Sequence, residues 1–291
     1  MKHTNEKHCW LLYDRPDLAV NRDYAALMRT RGEACGLDIE AVTIQELSLG
    51  MNADGQPFLR RYGQDCKPDA VLSRMRFDWI SEHLERMGIP VFNNSKVCRI
   101  CNDKRRTHLF LSGLPMAETL FANDSAELSD LPAWPQVLKP ALGHGGESVS
   151  LIQSDQEWAQ SSERLKGRPA LCQSVVKTPG RDLRVYVLFG RIIAGVMRTA
   201  HSGIVSNFKL GGDVQLHTLT EKETVLANAV IQRFEQAGAP LCMAGVDLLY
   251  NGDEPVISEV EDVVGSRMLY KVSDIDLADL YLQEIKKRLH M

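Results

Sequence analysis

The chain has 291 residues, of which 44% are hydrophobic, 25% charged and 7% aromatic, fractions that exclude a disordered or collagen-like chain. Its 34 Lys and Arg against 38 Asp and Glu leave a net charge of -4, which argues against binding nucleic acid or an anionic membrane through bulk charge. Length alone leads one to expect about two domains.

The first eight residues are polar, and the apolar run at 9–13 is far shorter than a signal-peptide core or a membrane-spanning helix. That run reads as a strand. A helix over 24–35 closes at Gly36, a β-branched strand follows at 39–44, and 50–57 reads as a loop. A buried strand at 69–73, a helix over 77–87 ending at Gly88 and a short strand at 89–93 complete a small parallel α/β unit. Cys98 and Cys101 form a C-x-x-C, which is either a redox pair, half a zinc site, or two small apolar residues on one helical face. The last is favoured because no second such pair completes four zinc ligands. Seven scattered cysteines, an odd number, suit reduced thiols in a cytoplasm.

A basic helical stretch occupies 102–107, and 114–120 and 136–139 are strand-like. The second of these ends on Lys139 and leads into the glycine-rich run Gly143-His144-Gly145-Gly146. A strand at 149–152 precedes a helix that Ser154 caps, with Glu157 three residues on. Further strands are expected at 170–176, 183–188 and 192–197, the last two flanking a turn at 189–191. A glycine-rich loop covers 201–213. An amphipathic helix over 220–237 presents Val225, Leu226, Ala229, Val230 and Phe234 on one face. Strands at 243–250 and 255–260 enclose Asn251-Gly252-Asp253-Glu254, a hairpin signal, and a last helix spans about 274–289.

Asp247 lies on the first strand of that hairpin and Glu259-Val260-Glu261 on the second. Period-two geometry sets Glu259 and Glu261 on one face, beside Asp247. Three converging carboxylates repel each other unless a cation lies between them, and hard oxygen ligands suit Mg²⁺. Solvent-facing strand residues are the alternative reading. Lys139 ahead of a glycine-rich turn is a reasonable phosphate cradle, although the run matches neither the P-loop nor the dinucleotide pattern. Basic residue, glycine loop and distant carboxylates together point to ATP with magnesium. Arg267, in the turn Gly265-Ser266-Arg267, either pairs with a substrate carboxylate or stands as a surface arginine.

The order Asp103-Lys104, Val137-Leu138-Lys139-Pro140, Gln173-Ser174-Val175-Val176, Gly180-Arg181-Asp182-Leu183-Arg184-Val185, Ser206-Asn207, Ala244-Gly245-Val246-Asp247 and Glu259-Val260-Glu261 resembles the ATP-grasp fold. It is most similar to the RimK-type carboxylate–amine ligases. The resemblance implies an α/β fold that is α+β in its C-terminal part. An N-terminal parallel α/β domain at 1–92 would precede an ATP-grasp domain at 93–291, split into 93–170 and 171–291. By the same resemblance, Lys104 and Lys139 reach the ATP phosphates. Gln173, Ser174, Val175 and Val176 run beside adenine, with Ser174 and Val175 contacting it through backbone groups. Asp182, Ser206 and Asn207 lie near the nucleotide, Arg198 points at phosphate or acyl-phosphate, and Asp247, Glu259 and Glu261 hold Mg²⁺, with Mn²⁺ as an alternative.

The implied reaction is ADP-forming amide or peptide ligation through an acyl-phosphate, on small carboxylate and amine substrates such as amino acids or a peptide. Ligation to a protein tail, a kinase-like phosphotransfer and a non-catalytic nucleotide-binding regulator are the alternatives. No nucleic-acid or membrane partner is expected, and a homo-oligomer is left open. Two departures stand out. Relatives usually read Glu-x-Asn where this chain has Glu259-Val260-Glu261, so Glu261 either tightens the metal or turns to the amine. Val205, Lys209 and Leu210 replace the usual Arg of Arg-x-Asn and the His-Arg that follows, which removes expected contacts to phosphate and to an acidic substrate.

Overall fold

Cys9-Trp10-Leu11-Leu12-Tyr13 is apolar on both faces, as a strand covered by helices on both sides must be. In the computed structural model it belongs to the strand Lys7–Tyr13. The structure describes every residue except 1–5, 126–127, 129–130, 132, 144–147, 202–211 and 290–291. Lys7–Tyr13 pairs in parallel with Leu37–Thr43 on one side and Ala70–Ser73 on the other, and Val91–Phe92 extends the sheet. The helix Arg22–Cys35 stops where Gly36 takes a left-handed φ of 82°, open to it without a Cβ, and its N–H returns to Glu33 and Gly32 carbonyls.

Residues 50–57 are not an open loop. They form the turn of a small antiparallel sheet of Leu47–Met51, Pro57–Arg61 and Gln64–Asp65. The Asn52 Oδ1 accepts from the N–H groups of Asp54 and Gln56, which folds the segment back on itself. Gly50 fits because an added Cβ would stand 2.7 Å from the Phe58 ring.

The basic stretch expected over 102–107 is split. Ser95–Cys101 ends at Asn102, and Asp103 starts a new helix, Lys104–Phe110, by accepting from the Arg105 N–H. Cys98 is buried on the first of these helices, bonded through its thiol to the Met75 carbonyl, and all seven cysteines are free thiols.

Thr119–Ala122, Gln136–Pro140, Ser150–Ile152 and Ala170–Ser174 form a second, antiparallel sheet over the small core Leu138, Ile152, Leu165 and Ala170. The strand expected at 114–120 begins only at Thr119. Upstream, Pro115 and Met116 instead stitch to Ile257 of the C-terminal sheet.

That third sheet runs Asp213–His217, Arg191–Thr199, Arg181–Leu188, Met243–Asn251 and Glu254–Glu261, all antiparallel. One face, with Leu183, Val185, Val187, Val246 and Leu248, packs on the helix Glu221–Gln236. The buried stripe of that helix is Glu223, Leu226, Ala227, Val230, Ile231 and Phe234, while Val225 is 62% exposed. The stripe is turned from the expected one because Glu223 is drawn inward. Its carboxylate caps the Thr220 N–H and accepts from Tyr250.

The opposite face carries Tyr186 and Leu188 into a core shared with Leu11, Tyr13, Leu72 and the closing helix Leu277–Arg288. Further along the same face, alternation places Asp182 and Arg184.

Candidate active site

A cavity of about 560 Å³ opens where the three sheets meet. Tyr13 and Arg74 reach it from the carboxyl ends of two parallel strands, the usual ligand side of such a sheet. Lys104, Lys139, Gln173, Ser174, Val175 and Val176 line another wall, and Asp182, Arg184, Arg198, Asp247, Glu259, Glu261 and Arg267 a third. Of the candidate site residues named from the sequence, Ser206 and Asn207 are not placed. They lie outside the described residues, as do Val205, Lys209, Leu210 and the run 144–147.

Helix capping aims Lys104. Asp103 fixes the helix start, and the next side chain donates from Nζ to the Gly143 carbonyl at 2.7 Å and pairs with Glu259 at 3.4 Å. Lys139 is 7% exposed and is held by one neutral contact, Nζ donating to Gln173 Oε1 at 2.9 Å, while Gln173 donates to Thr119 Oγ1. Burial, with the Lys104 charge adding, pushes the Lys139 pKa down to about 8. Behind it, the buried His108 is pushed down to about 4 by burial and by Lys139, so this imidazole sets no second charge at its back. Two lysines that face the cavity, only one of them in an ion pair among the described residues, fit an anionic guest.

Asp247 and Glu259 are cross-strand partners, and a bulge at the next position leaves Ser258 unpaired. The bulge bends the strand locally, and Glu259 and Glu261 both line the cavity while Val260 is buried in the core. One oxygen from each of Asp247, Glu259 and Glu261 lies within 4.8 Å of the others. Hard, anionic oxygens in that grouping fit a small divalent cation.

Two arginines from neighbouring strands hold this cluster. Arg184, opposite Asp247 in register, donates to both its oxygens at 2.8 and 2.6 Å and pairs with Glu261 at 2.9 Å. Arg198 donates to Asp247 at 2.8 Å and to Asp182. Burial works against the Asp247 carboxylate, but Arg184 and Arg198 outweigh it and hold its pKa below the ordinary value. Glu259 is lowered in the same way, against burial, chiefly by Lys104. Glu261 is raised by burial, reinforced by its two acidic neighbours. Asp182 is raised by burial despite Arg198. Arg198 therefore lines the cavity with its guanidinium already engaged by two carboxylates.

Sequence reasoning gave no role to Arg184, Arg74, Arg76, Asp17 or Asp262, all of which line the cavity. The signal for Arg184 was its spacing of two from Asp182 on a strand. For Arg74 it was its place just after a buried parallel strand.

Comparison with known proteins identifies the family. Residues 103–285 match the RimK-like ATP-grasp domain family. The β-citrylglutamate synthase B of Homo sapiens is 30% identical over 93% of this chain and 75% of its own length. A probable α-L-glutamate ligase of Vibrio atlanticus is 28% identical over 89% of this chain and 90% of its own. Among solved structures, the D-cycloserine synthetase DcsG superposes with a TM-score of 0.73 at 19% identity, covering 97% of this chain and 99% of that one. The D-alanyl-alanine synthetase A of Vibrio cholerae gives 0.71 at 14% identity, covering 98% and 99%. No helix among the described residues is long and apolar enough to cross a membrane. The chain belongs to the RimK-like ATP-grasp family of carboxylate–amine ligases, ADP-forming enzymes that work with ATP and a divalent metal.

Proposed function

We propose that the protein uses ATP and Mg²⁺ to join a small carboxylate to an amine, with an acyl-phosphate between the two half-reactions. The observation that carries this reading is one cavity in which two lysines meet a cluster of three acids. Lys104 and Lys139 line it beside Asp247, Glu259 and Glu261, with Lys104 3.4 Å from Glu259. In the first half-reaction a substrate carboxylate oxygen bonds to the γ-phosphorus, the bond to the β–γ bridging oxygen breaks, and ADP departs. In the second, the amine nitrogen bonds to the acyl carbon, the carbon–oxygen bond to phosphate breaks, and the amine releases a proton.

Lys104 and Lys139 bind phosphate oxygens in this scheme and hold their charge in a site largely closed to water. Ser174 and Val175 offer backbone groups to the adenine. Arg184 and Arg198 fix the orientation of Asp247, and Arg267 faces the substrates. Asp247, Glu259 and Glu261 would hold Mg²⁺, which when bound neutralises phosphate charge. Residues 1–92 form the substrate side, with 93–170 and 171–291 closing on the nucleotide. Seven unpaired thiols suit a reducing cytoplasm.

The relatives' names make L-glutamate and citrate the first substrates to try, with coupled ADP release as the readout and product mass as the check. An amide product with ADP supports the reading. A phosphoester would instead indicate phosphotransfer. No ADP from any carboxylate and amine pair, despite tight MgATP binding, overturns it.

A further inference from the structure

Arg74 is 7% exposed and Tyr13 is 1% exposed, and both line the cavity from neighbouring parallel strands. The Arg74 Nη2 donates to the Val264 carbonyl at 3.1 Å and to that of Val263 at 3.5 Å, and its guanidinium lies 5.2 Å from the centre of the Tyr24 ring. Among the described residues neither its Nε nor the Tyr13 hydroxyl has a partner at hydrogen-bond geometry, although Tyr13, Tyr24, Tyr281 and Asp262 stand around the guanidinium. Among the described residues, no carboxylate stands within 4.0 Å of the guanidinium. The other cavity arginines on this side are matched or exposed: Arg76 pairs with Asp17 at 2.7 Å, and Arg267 opens to solvent. Asp262, the acid on the same side, takes both its hydrogen bonds from Asn102.

A buried guanidinium whose nearest acid, Asp262, stands beyond ion-pair distance is costly, and its planar fork is shaped for a carboxylate. We propose that Arg74 and Tyr13 form a docking subsite for a substrate carboxylate that does not react, so one substrate carries a carboxylate beyond the group being ligated. This rests on the ligase reading above. The carboxylate belongs either to the acid or to the amine, and the chemistry of recognition is the same.

The test compares the full-length protein with R74Q, R74K and Y13F. Citrate and L-glutamate are titrated calorimetrically into each protein loaded with ADP and Mg²⁺, and KM and kcat are measured by ADP release. Acetate replaces citrate in one arm, and γ-aminobutyrate, which lacks the α-carboxylate, replaces L-glutamate in the other. We expect R74Q to weaken one of the two probes at least tenfold in Kd and KM, with ATP affinity and kcat nearly unchanged. R74K should recover part of the loss. The arm whose truncated analogue loses affinity in the wild type, with no further loss in R74Q, identifies the source.

The subsite is overturned if R74Q binds both probes as the wild type does, if neither probe binds the wild type, or if ATP affinity falls in parallel. Should R74Q not fold, Y13F carries the same comparison, with a rise of about threefold expected and no change overturning the proposal. Failure of the ligase reading appears separately, as absent ADP release from a wild type that binds MgATP. The two Kd values then decide the subsite alone.

Discussion

Arg184 grips both carboxylate oxygens of Asp247 from the adjacent strand, at 2.8 and 2.6 Å, and reaches on to Glu261 with its third nitrogen. One guanidinium thus orders two of the three acids that the cavity presents to a cation. The pair is buried, so its geometry is set by the fold rather than by the guest.

Removing one side of a buried ion pair leaves the other charge without its partner. Arg184→Gln is therefore expected to cost about 3–5 kcal/mol of folding stability, read from the urea midpoint with the slope unchanged. A loss below about 1 kcal/mol would mean that water reaches Asp247 in solution.

Glu259→Gln keeps the shape of the side chain and removes its charge. Turnover should drop by about 10²- to 10³-fold while the thermal midpoint holds, because the substitution acts on charge stabilisation in the reaction. Glu261→Asn restores the residue usual in relatives, and it should retain activity if Glu261 serves the cation. A collapse of activity at undiminished magnesium dependence would move Glu261 to the amine.

Lys139 carries a stability cost that an anion bound beside it would recover. Its folded pKa of about 8 lies below its ordinary 10.5, so at pH 7 the folded state holds a proton that the unfolded chain holds more readily. The penalty, on the order of a few kcal/mol, is full below pH 8 and fades as pH rises toward 10.5. Lys139→Met should raise the nucleotide-free melting temperature at pH 7, with a smaller gain near pH 10. In the wild type, MgATP affinity should fall as pH rises through about 8, where the lysine must take up a proton to meet phosphate. A pH-independent difference between the two proteins would contradict this assignment.

The turned stripe of the helix Glu221–Gln236 separates two apolar positions. Phe234→Ala, at a fully buried site, should cost about 3–5 kcal/mol. Val225→Thr, on the exposed side, should stay within about 0.5 kcal/mol. Equal effects in denaturant melts would return the helix to the phase its sequence suggests.

The ordering of strands and helices was largely readable, because apolar runs, Gly36, Gly88 and the Asn251-Gly252 turn mark their ends by local chemistry. The approach of Asp247 to Glu259 and Glu261 was readable for the same reason, since a short hairpin ties the strands together. What escaped depended on distant partners. Glu223 faces inward only because Tyr250 and the Thr220 backbone meet it there. Arg74 has meaning only once the carboxyl end of its strand faces a cavity whose other walls come from residues as distant in the chain as Lys104 and Arg267. The antiparallel sheet within 47–65 was missed because its turn residues look the same as those of an open loop.

The core that joins Leu11, Tyr13 and Leu72 to Tyr186 and to Tyr281 and Ile285 of the last helix has a mechanical consequence. The strands that carry the three acids pack on a second apolar cluster with Ile100 and Phe110, while the Lys104 N–H donates to the Ala141 carbonyl beside the Lys139 strand. Lys139 belongs to the second sheet, whose small core is its own. If both lysines hold the nucleotide, as proposed, that one guest bridges two separately packed cores.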